Sequence, residues 1–198
     1  MDILIATGNA GKLLEIQEFF GDMPGIRFLS LKDLGLKNDC EETGNSFAEN
    51  ALQKAKYFFE RAGIPTLGED SGIIVDALTG ELGIKTRRWG AGEKATDEEW
   101  LAYFLQRMAG EKIRSARFFC ASVFYDGEKT FLAEGQSEGN LLQNPVLPIP
   151  KGIPLSALFV PVGHEKVFSA MTRAEKNSIS HRGSAIGKMK EWLEGQKN

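Results

Sequence analysis

Apolar positions along the chain switch repeatedly between the spacing of short buried strands and that of amphipathic helices. Ile3-Leu4-Ile5-Ala6 is a compact apolar run of strand length. Thr7-Gly8-Asn9-Ala10-Gly11-Lys12 follows as a glycine-containing turn, and Leu13, Leu14, Ile16, Phe19 and Phe20 then recur at helical spacing. A second helix is predicted from Ser46, where Ser46 and Glu49 form a capping box and Phe47, Ala51, Ala55, Phe58, Phe59 and Ala62 supply the apolar stripe. Gly63 and Pro65 end it. Pro65 to Leu67 and Ile73-Ile74-Val75 read as two short strands joined by a polar turn, Gly68-Glu69-Asp70-Ser71-Gly72.

Further on, Thr96 and Glu99 cap a third helix that runs to about Met108. Phe118 to Tyr125 and Thr130 to Ala133, joined through Asp126-Gly127, form a hairpin. Leu141 to Pro154 is rich in proline and reads as an irregular loop, with a short strand at Leu155 to Val160 beyond it. Thr172 and Glu175 form another capping box. Ser180-His181-Arg182-Gly183 interrupts that helix, and a last one runs to about Leu193. Strands mixed with helices predict an α/β fold with a mixed sheet. There is no repeat and no linker-like stretch, so residues 1–198 are read as one domain.

Charge and cysteine content narrow the function. The formal net charge is −3, so a phosphate ligand must be held by a local cluster of cations, not by a global field. The same balance, without a basic stripe interleaved with aromatics, argues against nucleic-acid binding. Cys40 and Cys120 are the two cysteines and lack any C-x-x-C spacing, so neither structural zinc nor a disulfide framework is expected. No apolar run has the length of a membrane span and no signal peptide is visible, which predicts a cytoplasmic protein.

Three segments carry candidate chemistry. The 7–12 turn lies between a strand and a helix, where free backbone N–H groups, Asn9 and Lys12 can face an anion. It is not a Walker A loop, because Gly8 and Gly11 are two residues apart and Leu13 follows Lys12. Glu69-Asp70-Ser71-Gly72, with Glu41-Glu42 upstream, offers carboxylates of the kind Mg²⁺ takes alongside water and phosphate oxygens. Lys176 and Ser180-His181-Arg182-Gly183 offer cations near a helix start. Each segment alone is equally compatible with a solvated turn, and Lys54 alone is a solvated lysine on a polar helix face. His164 reads as surface loop. Taken together the segments suit a polyphosphate ester with Mg²⁺. A serine hydrolase is excluded by the lack of a G-x-S-x-G elbow.

These blocks resemble the inosine triphosphate pyrophosphatase family from about Ile3 to Trp192. The matching segments are Thr7 to Lys12, Glu41-Glu42-Thr43-Gly44 with Glu49-Asn50-Ala51 and Lys54-Ala55, Glu69 to Gly72 with Val75 to Leu78, Ala95-Thr96-Asp97, and Thr172 to Asn177 with Ser180 to Gly183. The resemblance implies a two-lobed single domain around a long mixed sheet, with a nucleotide cleft between the lobes, and a homodimer. It implies hydrolysis of non-canonical purine triphosphates (ITP, dITP, XTP) to monophosphate and pyrophosphate. Thr7, Gly8, Asn9, Lys12 and Lys54 would hold phosphates. Glu41 and Asp70 would hold Mg²⁺, Asp70 would accept the proton of the attacking water, and Ser71, Lys176, His181 and Arg182 would contact the nucleotide.

The chain departs from the family pattern in three places. The family's aromatic-glycine-aromatic-aspartate segment is Gly152-Ile153-Pro154-Leu155 here, so the base-stacking phenylalanine and its aspartate are absent. Trp89 is a candidate substitute for the stacking ring. Glu69 replaces the usual aspartate before Asp70, and Thr86-Arg87-Arg88-Trp89 replaces a serine-alanine-arginine segment. Two other readings follow: a pyrophosphatase of shifted base preference, like the septum-formation-inhibitor family, and a nucleotide-binding protein without turnover. The presence of Lys12, Glu41 and Asp70 favours turnover.

Overall fold

The computed structural model describes residues 1–21, 23–92 and 94–196, with the Arg87 side chain outside the description. Six strands form one sheet: β1 (Asp2–Ala6), β2 (Arg27–Ser30), β3 (Thr66–Val75), β4 (Ser115–Tyr125), β5 (Thr130–Leu141) and β6 (Phe159–Pro161). Their order is β2-β1-β3-β4-β5-β6. β1 pairs in parallel with β2 and β3, and every pairing from β3 onward is antiparallel. Five α-helices accompany it among the described residues: α1 (Ala10–Phe20), α2 (Phe47–Ala62), α3 (Asp97–Arg107), α4 (Arg173–Ile179) and α5 (His181–Gly195). The α/β class and mixed sheet are those the sequence predicts.

Strand burial follows sheet position. Central β3 is buried at eight of its ten residues, as expected of a strand covered on both faces. β5 alternates, with Ala133, Gly135, Ser137, Gly139 and Leu141 inward and Glu134, Gln136, Glu138 and Asn140 outward. The helix boundaries follow their caps. Ser46 Oγ accepts from Glu49 N at 3.1 Å, and Gly63 closes α2 in the left-handed region. Ser180 ends α4 and caps α5, its Oγ accepting from Gly183 N at 2.9 Å.

Two of the buried apolar clusters meet along β3. One gathers Ile3, Ile5, Ile16, Phe20, Leu67, Phe124, Ile186 and Met189. The other gathers Ile73, Val75, Trp100, Phe104, Leu155, Phe159 and Phe168. β3 belongs to the first at Leu67 and to the second from Ile73, so Glu69-Asp70-Ser71 lies at the seam between two lobes of packing.

Three expectations need correction. Gly68 to Gly72 is not a turn: β3 runs unbroken through it, with Glu69 opposite Ser122, Asp70 opposite Ala121 and Ser71 opposite Cys120. The segment read as a strand at Leu155 to Val160 is a 3₁₀ turn at Pro154–Ala157, with the strand confined to Phe159–Pro161. The hairpin is much longer than its apolar core suggested, because β5 continues by alternation to Leu141.

Candidate active site

The buried face of α2 carries two polar residues one turn apart, Asn50 and Lys54, among Ala51, Ala55 and Phe58. Burial of a polar group requires a partner, and both find theirs on β3. Asn50 Nδ2 donates to Asp70 Oδ2 at 3.0 Å. Lys54 Nζ donates to the Glu69 carbonyl at 2.9 Å and pairs with Glu42 Oε1 at 2.5 Å. Lys54 is 7% exposed, so it is no solvated lysine. Asp70 Oδ1 accepts from Ser71 N at 2.9 Å. Burial raises the Asp70 carboxyl above its ordinary range, against the pull of Lys12 and Lys54 and with the help of Glu42.

Glu69 gathers cations from three directions. Lys12 Nζ lies 3.0 Å from Oε2 and Arg182 Nη2 3.1 Å from Oε1. Burial pushes this carboxyl up, but Lys12, Arg182 and Lys54 outweigh it and hold it well below the usual carboxylate range. Arg182 also donates to Ser71 Oγ at 2.9 Å and pairs with Glu15. Glu15 in turn binds Lys176. His181 and Arg182 are each 5% exposed, so of the two readings open for this segment the solvated turn fails: it is the buried first turn of α5. Gly135 permits this seating: a Cβ there would lie 2.1 Å from the His181 carbonyl.

The 7–12 turn closes the site from β1. Asn9 caps α1, its Oδ1 accepting from Lys12 N at 3.1 Å. Its Nδ2 donates to the Gly152 carbonyl at 2.8 Å, while Gly152 N donates to Asp97 Oδ2 at 2.6 Å. One glycine thus ties the turn to the first residue of α3. Across the cavity, Phe118 stacks on His181 with ring centroids 4.7 Å apart. Burial drives the His181 pKa far below its ordinary value, and its Nδ1 has no partner.

Thr7, Gly8, Asn9, Lys12, Glu41, Lys54, Asp70, Ser71, His181 and Arg182 all line one cavity of about 740 Å³, within the usual size of a small-molecule site. Lys176 is the exception: it does not line the cavity, and its ammonium pairs with Glu15, which in turn holds Arg182. Trp89 does not line the cavity, because its ring packs against Trp100, Tyr103 and Phe104. Glu41 is exposed and makes no ion pair among the described residues, whereas Glu42 pairs with Lys54 and, at 3.7 Å, with Arg88.

A model of the Ham1 family matches residues 3–192. The chain belongs to the Ham1 family. This member is 38% identical over 196 residues to a dITP/XTP pyrophosphatase of Thermoanaerobacter pseudethanolicus, covering 98% of this chain and 96% of that one. It is 36% identical to a dITP/XTP pyrophosphatase of Aquifex aeolicus, covering 96% and 95%. Its fold is similar to that of a HAM1 protein from Coxiella burnetii, with a TM-score of 0.82 at 31% identity over 98% of this chain and 99% of that one. The extent of the family match agrees with the sequence blocks between Ile3 and Trp192.

Several residues of this site have roles that the sequence reading did not assign. Asn50 was legible in principle, as a polar residue on the apolar stripe of α2, one turn before Lys54. Glu15 and Phe118 gave no such sign, because each takes its role from a partner distant in sequence, and Glu42, noted beside Glu41 as a candidate carboxylate for Mg²⁺, is instead the ion-pair partner of Lys54.

Proposed function

We propose that this protein hydrolyses deaminated purine nucleoside triphosphates, ITP, dITP and XTP, to the monophosphate and pyrophosphate with Mg²⁺. The observation that carries this reading is a buried carboxylate, Asp70, flanked by Lys12 and Lys54 in a cavity of nucleotide size. The names of the relatives support the substrate class.

The donor set fits Mg²⁺. Among the described residues no three His, Cys, Asp or Glu side chains form a cage, and Mg²⁺ needs only one or two carboxylates with water and substrate phosphates. Asp70 and the unpaired Glu41 would hold it, and the ion would offset charge on the polyphosphate. The chain's own residues do the rest. Lys12 and Lys54 neutralise charge developing on the leaving pyrophosphate. Asn50 and the Ser71 amide fix the Asp70 carboxylate by its two oxygens. Asp70, its carboxylate held by both oxygens, is placed to accept the proton of the water that attacks the α-phosphorus. Cleavage then breaks the bond between the α-phosphorus and the bridging oxygen, which leaves with pyrophosphate.

A cytoplasmic homodimer completes the reading. No described helix is long and apolar enough to cross a membrane. The test is pyrophosphate release with Mg²⁺ across ITP, dITP, XTP, GTP, ATP, dUTP and dTTP. Release from ITP and XTP well above GTP and ATP, abolished in Asp70→Asn, is expected. Binding of ITP without release from any triphosphate would make this a nucleotide-binding protein.

A further inference from the structure

Among the described residues, four lysine and arginine side chains line the cavity: Lys12, Lys54, Arg88 and Arg182. Lys12 and Arg182 are held by Glu69, which is 1% exposed and fixed within β3. Lys54 is held differently. Its partner on β3 is a neutral carbonyl, and its charge is met by Glu42 Oε1 at 2.5 Å, the one carboxylate that ion-pairs with it among the described residues. Glu42 lines the cavity, and its side chain is 24% exposed. The chain on either side of it is tied to α2: Tyr57 Oη donates to Asp39 Oδ1 at 2.9 Å, and Gly44 N donates to Asn50 Oδ1 at 2.8 Å. The carboxylate can therefore swing while the backbone around it stays in place.

This carboxylate occupies a cation that a polyphosphate needs. A phosphate oxygen on Lys54 would stand beside Glu42, and like charges that close repel strongly in a buried site. A buried ammonium left without a counter-charge is also costly. Both costs are avoided if carboxylate and phosphate take turns on Lys54. The displaced carboxylate then needs a cation of its own, and Arg88 is at hand. Its Nη2 lies 3.7 Å from Glu42 Oε2, and its Nη1 donates to the Glu42 carbonyl at 3.2 Å. A shift of about 1 Å would bring Oε2 to charge-assisted hydrogen-bond length from the guanidinium. Backbone on both sides of Arg88 is fixed: Thr86 Oγ1 accepts from Ile73 N at 3.1 Å, Trp100 Nε1 donates to the Thr86 carbonyl at 3.2 Å, and the Trp89 ring packs on Trp100. The Arg88 side chain is nevertheless 38% exposed, the most of the four cations.

We propose that Glu42 is an internal stand-in for a substrate phosphate on Lys54, and that Arg88 is the positioning residue that takes the carboxylate over when a polyphosphate arrives. The identity of the arriving anion rests on the pyrophosphatase reading of the same cavity. In the empty site Lys54 is paired with Glu42, and Arg88 meets the same carboxylate at longer range. With the anion bound, Lys54 is paired with phosphate and Arg88 with Glu42. No buried charge stands alone in either state. Pyrophosphate, once formed, faces the same competition from Glu42, which weakens its hold and favours its release. Glu42 thus lowers affinity for the polyphosphate, and Arg88 sets by how much.

The experiment is calorimetric titration of inorganic pyrophosphate, at saturating Mg²⁺, into the wild type, Glu42→Gln, Arg88→Gln and the double variant. Glu42→Gln is expected to bind about tenfold more tightly, because a competing anion has gone. Damage to the site would only weaken binding. Arg88→Gln is expected to bind about tenfold more weakly, because Glu42 then stays on Lys54. In the double variant that loss should vanish, with affinity within about twofold of Glu42→Gln. A tenfold loss that persists there would mean that Arg88 touches the phosphate itself, and would overturn the proposal. Equal or weaker binding by folded Glu42→Gln would overturn it too. Should Glu42→Gln fail to fold, Glu42→Asp decides: its shorter arm loosens the hold on Lys54 and should tighten binding about threefold, while equal or weaker binding overturns the exchange. If the wild type turns over no triphosphate, the pyrophosphatase reading fails, and the pyrophosphate titrations still decide this one. Absence of binding in both the wild type and Glu42→Gln would overturn it.

Discussion

Lys12 Nζ sits 3.0 Å from Glu69 Oε2, at a carboxylate that also receives Arg182. The pair joins the first turn of α1 to the middle of β3, and through Arg182 to the first turn of α5. Three elements distant in sequence are thereby held at fixed separation around Asp70. The cations that face a polyphosphate are assembled before it arrives, which is the arrangement that costs least reorganisation during reaction. Removing one partner of a buried ion pair leaves the other charge uncompensated. Glu69→Gln is therefore expected to lower stability by about 3 kcal/mol at pH 7, read from urea midpoints. Glu69→Asp keeps the charge and should lose less than half as much. A loss within about 1 kcal/mol for the Gln variant would show that Glu15 alone suffices to hold Arg182.

Acid should destabilise the metal-free protein in two steps. The His181 ring is buried against Phe118 and near Phe168, and desolvation keeps it neutral. The unfolded imidazole takes up a proton near pH ~6.5. The unfolded state thus binds more protons below that pH, and stability falls as pH falls. Glu69 and Glu15 form the second step. Burial opposes their ionisation, but their cations hold both carboxyls low. Their contribution is full above the unfolded glutamate value of about 4.3 and is lost as pH drops beneath it. Asp70 has the opposite sign, since its raised pKa makes the native state take up a proton first. Urea midpoints at several pH values should show both steps, and His181→Gln should flatten the upper one. Persistence of the same slope between pH ~7 and ~5 in that variant would assign it elsewhere.

Lys54 should matter more for rate than for stability. Its ammonium is buried between Glu42 and the Glu69 carbonyl, and it lines the cavity beside Asp70. Lys54→Met keeps most of the packing volume, and Glu42 retains Arg88. Turnover of ITP is expected to fall about 10²- to 10³-fold, as when one donor to a transition-state oxyanion is removed. The urea midpoint should shift by less than that of Glu69→Gln. A larger stability loss with unchanged turnover would make Lys54 a structural clamp.

The features legible in the sequence are those set locally. Caps at Ser46, Thr96 and Thr172, the break at Ser180, and the strand–turn–helix at 3–20 all depend on neighbours within a few residues. β2 was not legible, because Arg27-Phe28-Leu29-Ser30 is too short to show alternation. The polar run Glu69-Asp70-Ser71 read as a turn because its compensating partners, Lys12, Asn50, Lys54 and Arg182, come from three helices. The same long-range compensation hid the burial of His181 and Arg182. Chemistry could be named from residue type, while the pairing that allows it to be buried could not.

Gly152 offers the sharpest test of how the two sides of the cavity are coupled. Its N–H and C=O are both engaged, the first by Asp97 at 2.6 Å and the second by Asn9 at 2.8 Å. Its φ is +78°, and a Cβ would lie 2.5 Å from Asn9 Oδ1. An alanine there faces the left-handed penalty of about 1–2 kcal/mol and a collision as well. The displaced atom is the one that caps α1 through Lys12 N, so the effect should reach Lys12 without touching it. Gly152→Ala is expected to cost about 2–3 kcal/mol in stability and to raise KM for ITP. Asp97→Asn removes the acceptor charge but no volume, and should raise KM with little loss of stability. If Gly152→Ala loses stability while KM stays at the wild-type value, the 151–155 segment is a strut for α3 and does not position the phosphate turn.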